Sequence, residues 1–349
     1  MCYTDTLGRY KHYTSKMFKT SKEAKENEAL FVSNLDKYKR QEDKTIAELA
    51  KEYKATKQPN LKPASFDKVA SDIDRVASQL GRIKASRLNA NHVEIFKKHL
   101  TDCDYSVKTK NQILASLVKI MEYGYAHYNI HNNVMERVER FKDKTKKEEM
   151  QFITLDEFQQ FIKQVEDIRY ISFFTVLYYM GLRLSEANGL QWKHIDFEHG
   201  ILTVNQRAFI YKGKLTITSP KTKYSYRTLP MPQPVISILK ELYTYWNVKR
   251  NFNTDYFVFN GDYILSKTSI ARQKEQALKQ AKIGKKIRVH DFRHSCASLL
   301  INSNANITVV SQFLGHASTK ETLDIYSHMY TDKLMEVVNL INEKTATPE

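Results

Sequence analysis

The sequence predicts a mainly α-helical protein with small β elements and more than one domain. A chain of 349 residues exceeds the usual size of a single hydrophobic core, so we expect two or three domains. Helix-start signals recur along the chain: a Thr followed three residues later by a Glu forms a capping box at Thr45–Glu48 and again at Thr154–Glu157. A charged stretch at residues 140–149 lies between these two helical segments and is typical of a linker.

The composition indicates a folded protein with a strong positive charge. Hydrophobic residues make up 42% of the chain, which is enough for packed cores and argues against global disorder. Lys and Arg number 55 against 39 Asp and Glu, which gives a formal net charge of +16 at pH 7. This excess favours a polyanionic partner, although a solvated basic surface that binds nothing specific would have the same composition.

The cysteines and the apolar segments indicate in which cellular compartment the protein works. Cys2, Cys103 and Cys296 lie too far apart to suggest a disulfide framework or a metal site, which suits a reducing cytoplasm. The N-terminus lacks the apolar stretch of a secretory signal. The most apolar run, residues 171–182, is too short to span a bilayer and is interpreted as a buried helix. We therefore predict a cytoplasmic protein with no membrane partner.

Residues 1–31 are predicted to form a short hairpin followed by a helix. Aromatic and basic residues alternate at residues 9–13, as in a strand, and Gly8 suits the preceding turn. Thr20 and Glu23 then have the spacing of a helix N-cap and its capping-box partner, so a helix is expected to start there.

Residues 44–142 are predicted to form a helical domain, with helix starts at Thr45, Asn89 and Ser106. Two of these helices carry apolar residues at helical spacing, which are Val93, Phe96 and Leu100 in one and Ile113, Leu117, Ile120 and Met121 in the next. The basic residues Lys108, Lys110 and Lys119 could contact phosphates or could form a solvated helix face.

Residues 143–153 are interpreted as a basic linker, and residues 154–349 as a second, mostly helical domain. One small sheet is expected in this domain. Its strands are predicted at residues 201–204 and on either side of Gly213 and Pro220.

The second domain contains an ordered set of residues suited to phosphodiester chemistry. The set is Arg183, Lys221, His290, Arg293, His316 and Tyr326. Arginine forks match phosphate oxygens, lysine and histidine can move protons, and a tyrosine hydroxyl can attack phosphorus and remain bonded to it. The sequence has no carboxylate cluster with metal-binding spacing. The set therefore predicts an enzyme that cuts DNA by joining covalently to it, with no cofactor and no metal.

The residues alone leave two assignments open: which lysine reaches the reacting phosphate, and which tyrosine is the nucleophile. On a strand, Lys221 and Lys223 would point to the same side, so their spacing cannot say which one reaches the reacting phosphate. Tyr330 follows Tyr326 by one helical turn and is its rival as nucleophile.

Neighbours of the set have ordinary structural interpretations. Glu186 is expected to orient Arg183 rather than to enter the chemistry, and the two could also form a surface ion pair of small effect. We interpret His294, which directly follows Arg293, as a bystander. Cys296 is most simply a small core residue.

The order Arg, Lys, His-x-x-Arg, Gly-His, Tyr, with ten residues from His316 to Tyr326, resembles the catalytic domain of the tyrosine recombinases, the phage integrase family. The resemblance marks residues 219–230 as the hairpin whose lysine reaches the scissile site. The family places that lysine before the first Thr of the segment, which favours Lys221. The step from Gly-His to the tyrosine favours Tyr326 over Tyr330.

The resemblance implies a site-specific DNA recombinase of a bacterial mobile element that works through a 3′-phosphotyrosyl intermediate. It implies that Arg183, Arg293 and His316 stabilise the phosphate. His290 is then the natural candidate to assist the nucleophile, and Lys221 to protonate the departing oxygen. The implied partners are double-stranded DNA attachment sites, three further copies of the chain in a synaptic tetramer that passes through a Holliday junction, and accessory proteins that set directionality or bend DNA.

The resemblance also implies a role for each segment. Residues 1–31 are similar to the end of an arm-DNA-binding domain, without the strand that usually precedes the hairpin. Residues 44–142 resemble a core-DNA-binding domain, and residues 154–349 the catalytic domain. Two other functions stay open. A type IB topoisomerase would share the chemistry but relax supercoils without strand exchange. A non-catalytic DNA-binding regulator is disfavoured because no member of the set is missing.

Overall fold

The computed structural model describes residues 2–4, 10–12, 18, 20–39, 43–130, 132, 134, 138–143, 151–220, 223–320, 322, 323 and 326. The chain divides into two compact units, Met1–Lys147 and Glu148–Glu349. Both are mostly helical, and the strands form small sheets. This architecture confirms the predicted fold class.

The first unit begins with a hairpin and a long helix. Strands β1 (Cys2–Thr4) and β2 (Tyr10–His12) pair antiparallel, and the predicted turn at Gly8 lies outside the described residues. Helix α1 (Ser21–Lys39) starts at the predicted place, where the Thr20 hydroxyl accepts a hydrogen bond of 3.3 Å from the backbone N–H of Glu23. The helix continues well past the end of the predicted segment.

The rest of the first unit is a helical bundle. Its elements are α2 (Ile46–Lys57), α3 (Pro63–Leu80), a 3₁₀ helix at Ala85–Arg87, α4 (Ala90–Asp102) and α5 (Val107–Tyr128). The side chains of Thr45, Asn89 and Ser106 each accept a hydrogen bond from the backbone N–H three residues on, so the three predicted helix starts are confirmed. All seven apolar residues predicted at helical spacing in α4 and α5 are buried in the core of this unit.

The second unit packs its helices around an aromatic core. Its helices are α6 (Leu155–Ile162), α7 (Ile168–Met180), α8 (Leu184–Ala187), α9 (Gln233–Asn247), α10 (Lys267–Gln280), α11 (Asp291–Asn302) and α12 (Ile307–Leu314). Phe158 stacks on Tyr178 with ring centroids 3.9 Å apart, and Phe174 stacks on Phe292 at 5.3 Å. Helix α7 is buried along most of its length, as the apolar run predicted. Because α7 and α11 pack into the same core, the ends of these two helices are held in fixed positions relative to each other.

The strands described in the second unit form two sheets, so the prediction of one sheet is wrong. Strands β3 (Ile195–Asp196), β4 (Ile201–Val204) and β7 (Arg227–Pro230) pair in that order. Strands β5 (Arg207–Tyr211) and β6 (Lys214–Thr218) form a separate hairpin that turns at Gly213. The hairpin packs Ala208 and Leu215 against a small cluster of its own, while β4 and β7 place Leu202 and Leu229 in the main core. The two sheets are separate because each packs its apolar residues into a different core.

The described residues lack features of membrane spans and of metal sites. No helix there is both long enough and apolar enough to cross a bilayer. In the same part of the chain, no group of three or more His, Cys, Asp or Glu side chains is arranged to hold a metal ion.

Candidate active site

Arg183 lies where two helices meet. Helix α7 ends at Gly181, whose φ of 59° reverses the chain, and Arg183 occupies the position just before α8. Its Nη1 atom lies 2.8 Å from Glu186 Oε1, and its Nη2 donates a hydrogen bond of 3.3 Å to the carbonyl of Gly315. The Arg183 side chain is 31% exposed while Glu186 is 1% exposed. The pair is therefore no surface ion pair, and the arginine keeps an open face toward solvent.

Arg293 lies in the first turn of α11 and is almost fully buried. Its Nη1 donates hydrogen bonds of 2.7 Å to the carbonyls of Gly181 and of Leu314. Its Nη2 is also buried and has no hydrogen-bond partner among the described residues. Burial and then the charge of Arg183 lower the pKa of Arg293. A buried guanidinium with a donor to spare is suited to an anion, because an anion would both pair the donor and compensate the charge.

A third arginine, Arg227 at the start of β7, was not among the predicted site residues. Its Nη2 lies 3.1 Å from Glu186 Oε2, so the Glu186 carboxylate holds Arg183 with one oxygen and Arg227 with the other. Burial opposes ionisation of Glu186, but the charges of Arg227 and Arg183 prevail and lower its pKa. Glu186 is therefore ionised at neutral pH.

The end of helix α12 binds all three of these arginines through consecutive backbone carbonyls. The carbonyl of Phe313 accepts from Arg227 Nε at 2.9 Å, that of Leu314 from Arg293 Nη1 at 2.7 Å, and that of Gly315 from Arg183 Nη2 at 3.3 Å. The last carbonyls of a helix lack partners within the helix and carry a partial negative charge, which favours cations. Gly315 has a φ of 72°, and this left-handed conformation ends the helix and directs its carbonyl to Arg183.

His316 follows directly and is buried. Its Nδ1 lies 2.7 Å from the Thr322 hydroxyl, which fixes the orientation of the ring. Burial and then the charges of Arg293 and Arg183 lower the pKa of His316 to about 3. The ring is therefore neutral at physiological pH. In the tautomer whose Nδ1 accepts from the Thr322 hydroxyl, Nε2 carries the proton and is the donor that His316 can offer.

Tyr326 is buried and contacts a residue that was interpreted as a bystander. The Nδ1 atom of His294 lies 2.7 Å from the Tyr326 hydroxyl, and Tyr326 is 2% exposed. Burial raises the pKa of Tyr326, and the charge of Arg293 offsets only part of this effect. Burial, and then the neighbouring His290, lower the pKa of His294 to about 4. A neutral imidazole thus faces a protonated phenol.

His290 lies just before α11 and presents an exposed ring. The ring lies edge-on to that of His294, with centroids 5.0 Å apart. Desolvation by the surrounding protein and then the charges of Arg293 and Arg183 lower the pKa of His290. His290 is consequently able to accept a proton at neutral pH, and it lies beside the residue that holds the tyrosine.

The structure brings together most of the predicted set. Arg183, Arg293 and His316 meet at the end of α12, and Tyr326 and His290 both lie against His294. Lys221 and Tyr330 lie outside the described residues. Lys223 is in a 3₁₀ helix, Lys223–Ser225, so the expectation that Lys221 and Lys223 share one strand is wrong.

The sequence contained weak signals for the two residues that were missed. His294 follows His290 by four positions, which places the two on one face of a helix. Arg227 lies at the start of a short strand, two residues before the apolar Leu229. Residues two apart on a strand share a face, so the Arg227 side chain should point inward as Leu229 does. An inward arginine needs a buried partner, and that requirement was the available clue.

In the part of the chain that the structure describes, the cluster of Arg183, Arg227 and Arg293, called here the arginine cluster, pairs with one carboxylate, that of Glu186. The cluster therefore has a surplus of positive charge. Together with the spare donor of Arg293 and the exposed face of Arg183, it is suited to a tetrahedral oxyanion, and Tyr326 lies close enough for the charge of Arg293 to act on its hydroxyl.

Comparison with known proteins agrees with this arrangement. The sequence model of the phage integrase family matches residues 151–333. The ICEBs1 integrase of Bacillus subtilis (strain 168) is 28% identical over 343 residues, which cover 95% of this chain and 92% of that protein. A tyrosine recombinase of Thermosipho africanus (strain TCF52B) is 28% identical over 276 residues, 76% of this chain and 89% of its own length.

Solved structures share the fold. A Tn1549 transposon integrase in complex with transposon right end DNA superposes with a TM-score of 0.71 at 19% identity, covering 87% of this chain and all of that one. A lambda integrase tetramer bound to a Holliday junction gives a TM-score of 0.61 at 14% identity, covering 92% and 94%. The family match includes every site residue discussed above and extends over more than half of the sequence. The chain belongs to the phage integrase family of tyrosine recombinases.

Proposed function

We propose that this recombinase integrates and excises a mobile element by cutting and rejoining DNA through a covalent bond to Tyr326. The observation that carries the proposal is the arginine cluster, held on three successive carbonyls, in the same group of residues as a buried tyrosine hydroxyl. Positive charge fixed in advance stabilises the charge that develops on a phosphate under attack.

The reaction we propose has two balanced steps. The Tyr326 oxygen attacks the scissile phosphorus in line, the bond from phosphorus to the deoxyribose 5′-oxygen breaks, and a 3′-phosphotyrosine forms. The departing 5′-oxygen takes a proton from Lys221, and the phenol loses its proton with help from His290. Attack by another 5′-hydroxyl then reverses the chemistry and releases the tyrosine. The energy of the broken bond is kept in the phosphotyrosine, so no nucleotide is needed.

We propose that His294 holds the Tyr326 hydroxyl in place before the reaction and does not remove the proton of that hydroxyl. A base with a pKa of about 4 is far too weak to deprotonate a phenol whose pKa is raised by burial. In the tautomer whose Nδ1 accepts from the Tyr326 hydroxyl, the hydrogen bond favours the neutral phenol, and the hydroxyl then leaves His294 before it attacks.

We also propose the roles of the remaining segments and partners. Residues 1–31 form part of an arm-DNA-binding module, residues 44–142 bind core DNA, residues 143–153 link the domains, and residues 154–349 carry the chemistry. The partners are DNA attachment sites, three further copies of the chain in the synaptic complex, and accessory directionality and DNA-bending proteins. Support comes from the similarity in fold to integrases solved with transposon DNA and as a tetramer on a Holliday junction.

The test is covalent trapping on a duplex that carries the junction sequence of the element encoding the chain, nicked near the cleavage site so that cleavage cannot reverse. We expect a protein–DNA adduct on a denaturing gel with the natural protein and with Tyr330→Phe, and none with Tyr326→Phe, which removes the nucleophile and little packing. An adduct that survives Tyr326→Phe and disappears in Tyr330→Phe contradicts the assignment. Relaxation of supercoiled DNA without joining of two sites contradicts the recombinase function.

A further inference from the structure

Arg227 occupies a position where a merely structural arginine is hard to explain. It opens β7, where its backbone pairs with Val204 of β4, and its side chain is 7% exposed. Its guanidinium is almost fully removed from water, and burial is the main cause of its lowered pKa. Burying a charge is costly unless it is paired and hydrogen-bonded, so the contacts of Arg227 have to compensate that cost.

The contacts join three separate parts of the site. Nη1 donates a hydrogen bond of 3.2 Å to the carbonyl of Ser225, in the 3₁₀ helix Lys223–Ser225. Nη2 lies 3.1 Å from Glu186 Oε2, and Nε donates to the carbonyl of Phe313 at the end of α12. The planar guanidinium of Arg227 thus sets the distances between this 3₁₀ helix, Glu186 and the end of α12.

The division of the Glu186 carboxylate has a consequence for Arg183. Carboxylates and guanidinium groups pair most favourably with two parallel hydrogen bonds. Glu186 gives Arg183 one side-chain contact, from Oε1, while Oε2 is taken by Arg227 and by the backbone N–H of Arg183. Without Arg227, Oε2 would be available to draw Arg183 into a two-pronged pair, which would turn its exposed face from the place where a phosphate binds.

We infer that Arg227 is a positioning residue of the recombination reaction, which sets the orientation of Arg183 toward the scissile phosphate by holding Glu186 and the end of α12. The inference rests on the proposed function. Arg227 does not itself contact DNA in this account, and its effect reaches the phosphate through Arg183.

The first measurement is the rate of single-turnover cleavage against the affinity for the same DNA. In Arg227→Met and Arg227→Lys we expect cleavage to slow by about a hundredfold, the effect of a misplacement on the order of 1 Å, while binding stays close to that of the natural protein. A lysine keeps the charge but has no planar fork to reach all three partners, so it should not restore the rate.

Arg207 supplies a matched control. It is a buried arginine of the same unit that bonds the carbonyl of Ser219 and the hydroxyl of Thr218 and has no contact with Glu186. Arg207→Met should therefore cost much less cleavage than Arg227→Met. Both tryptophans of the chain, Trp192 and Trp246, belong to the second unit, so their fluorescence checks that each variant is folded.

The second measurement separates positioning from general damage. A methylphosphonate at the scissile position removes the charged oxygen that Arg183 would stabilise. On this neutral substrate we expect the difference between Arg227→Met and the natural protein to shrink strongly. In an Arg183→Ala background, Arg227→Met should add little, because the group through which it acts is gone.

Equal losses on the charged and neutral substrates, or full additivity with Arg183→Ala, would overturn the inference, as would an equal loss in Arg207→Met. If Arg227→Met does not fold, the same comparisons made with Arg227→Lys decide. Failure of the proposed function would look different, because Tyr326→Phe would then still form the covalent adduct.

Discussion

The imidazole of His294 holds the hydroxyl of Tyr326 at 2.7 Å, while the tyrosine ring is enclosed by the protein. The ring also belongs to an apolar cluster with Cys296 and Leu314, so apolar contacts fix one side of Tyr326 and the hydrogen bond to His294 fixes its tip. Apolar contacts have no preferred direction, whereas the hydrogen bond does. The position of the hydroxyl therefore depends on His294.

The hydrogen bond between His294 and Tyr326 should appear as a coupling free energy. Tyr326→Phe and His294→Phe each leave a buried polar group unpaired, whereas the double variant leaves none. We expect the double variant to be more stable than the sum of the single effects by about 1 kcal/mol. Urea unfolding followed by tryptophan fluorescence measures it. Additive effects would show that the two groups do not bond.

The free energy of unfolding should fall as the pH falls below about 6.5. The folded-state pKa values of His316 and His294 are about 3 and about 4, against a reference of 6.5. Between these values the unfolded chain binds more protons than the folded one, so acid favours unfolding. For His316 the loss at pH 5 should reach about 2 kcal/mol.

His316→Asn should flatten this pH dependence, measured by urea unfolding at pH 7.5, 6 and 5. His199→Asn is the control, since His199 is an exposed histidine of the same unit that pairs with Asp196. Equal slopes in the natural protein and in His316→Asn would contradict a buried neutral His316.

Gly315→Ala should damage both stability and cleavage, and Gly213→Ala only stability. Both glycines have positive φ, so each substitution costs about 1–2 kcal/mol of backbone strain. A Cβ at position 315 would also lie 2.9 Å from Arg227 Nη1 and 3.0 Å from the carbonyl of Tyr224, whereas one at position 213 meets nothing within 4 Å. Urea unfolding and single-turnover cleavage of the two variants test this, and equal cleavage rates would contradict it.

Lys221→Ala should slow cleavage by roughly a hundredfold to ten-thousandfold if Lys221 protonates the 5′-oxygen. A 5′-bridging phosphorothiolate should largely restore the rate, because sulfur departs without a proton. Lys223→Ala should lose mainly salt-sensitive DNA binding and should gain nothing special from sulfur. Single-turnover cleavage of both variants on both substrates decides, and selective rescue of Lys223→Ala would move the acid role to that residue.

Cleavage and joining should proceed in excess EDTA and without nucleotide. In the proposed reaction the arginine cluster would supply fixed positive charge at the phosphate, and the phosphotyrosine would conserve the bond energy. The measurement is covalent adduct formation after treatment with chelator, with magnesium restored as the control. A strict requirement for magnesium in the cleavage step would contradict the proposed chemistry.

Local features of the fold could be predicted, and features that depend on distant packing could not. The starts of the helices after Thr45, Asn89 and Thr154 are visible in the sequence because a cap and its partner lie three residues apart. The division of the strands into two sheets depends on which core each strand joins, and strand pattern alone does not contain that information.

The same distinction holds within the site. The importance of Arg227 depends on partners 41 and 86 residues away in the chain, at Glu186 and Phe313. His294 contacts Tyr326 across 32 residues. No spacing rule connects positions so far apart, so a motif can identify Arg293 while leaving its neighbour His294 without a role.

Because Phe313, Leu314 and Gly315 are consecutive, the three arginines of the cluster share one short segment of backbone. Adjacent α-carbons are held about 3.8 Å apart by covalent geometry, so a shift of the α12 terminus along its axis carries all three carbonyls with it. A slip of the α12 terminus by one residue would offer each guanidinium the wrong carbonyl at the same moment. The register of the α12 terminus is consequently a single structural variable on which hydrogen bonds of all three arginines depend.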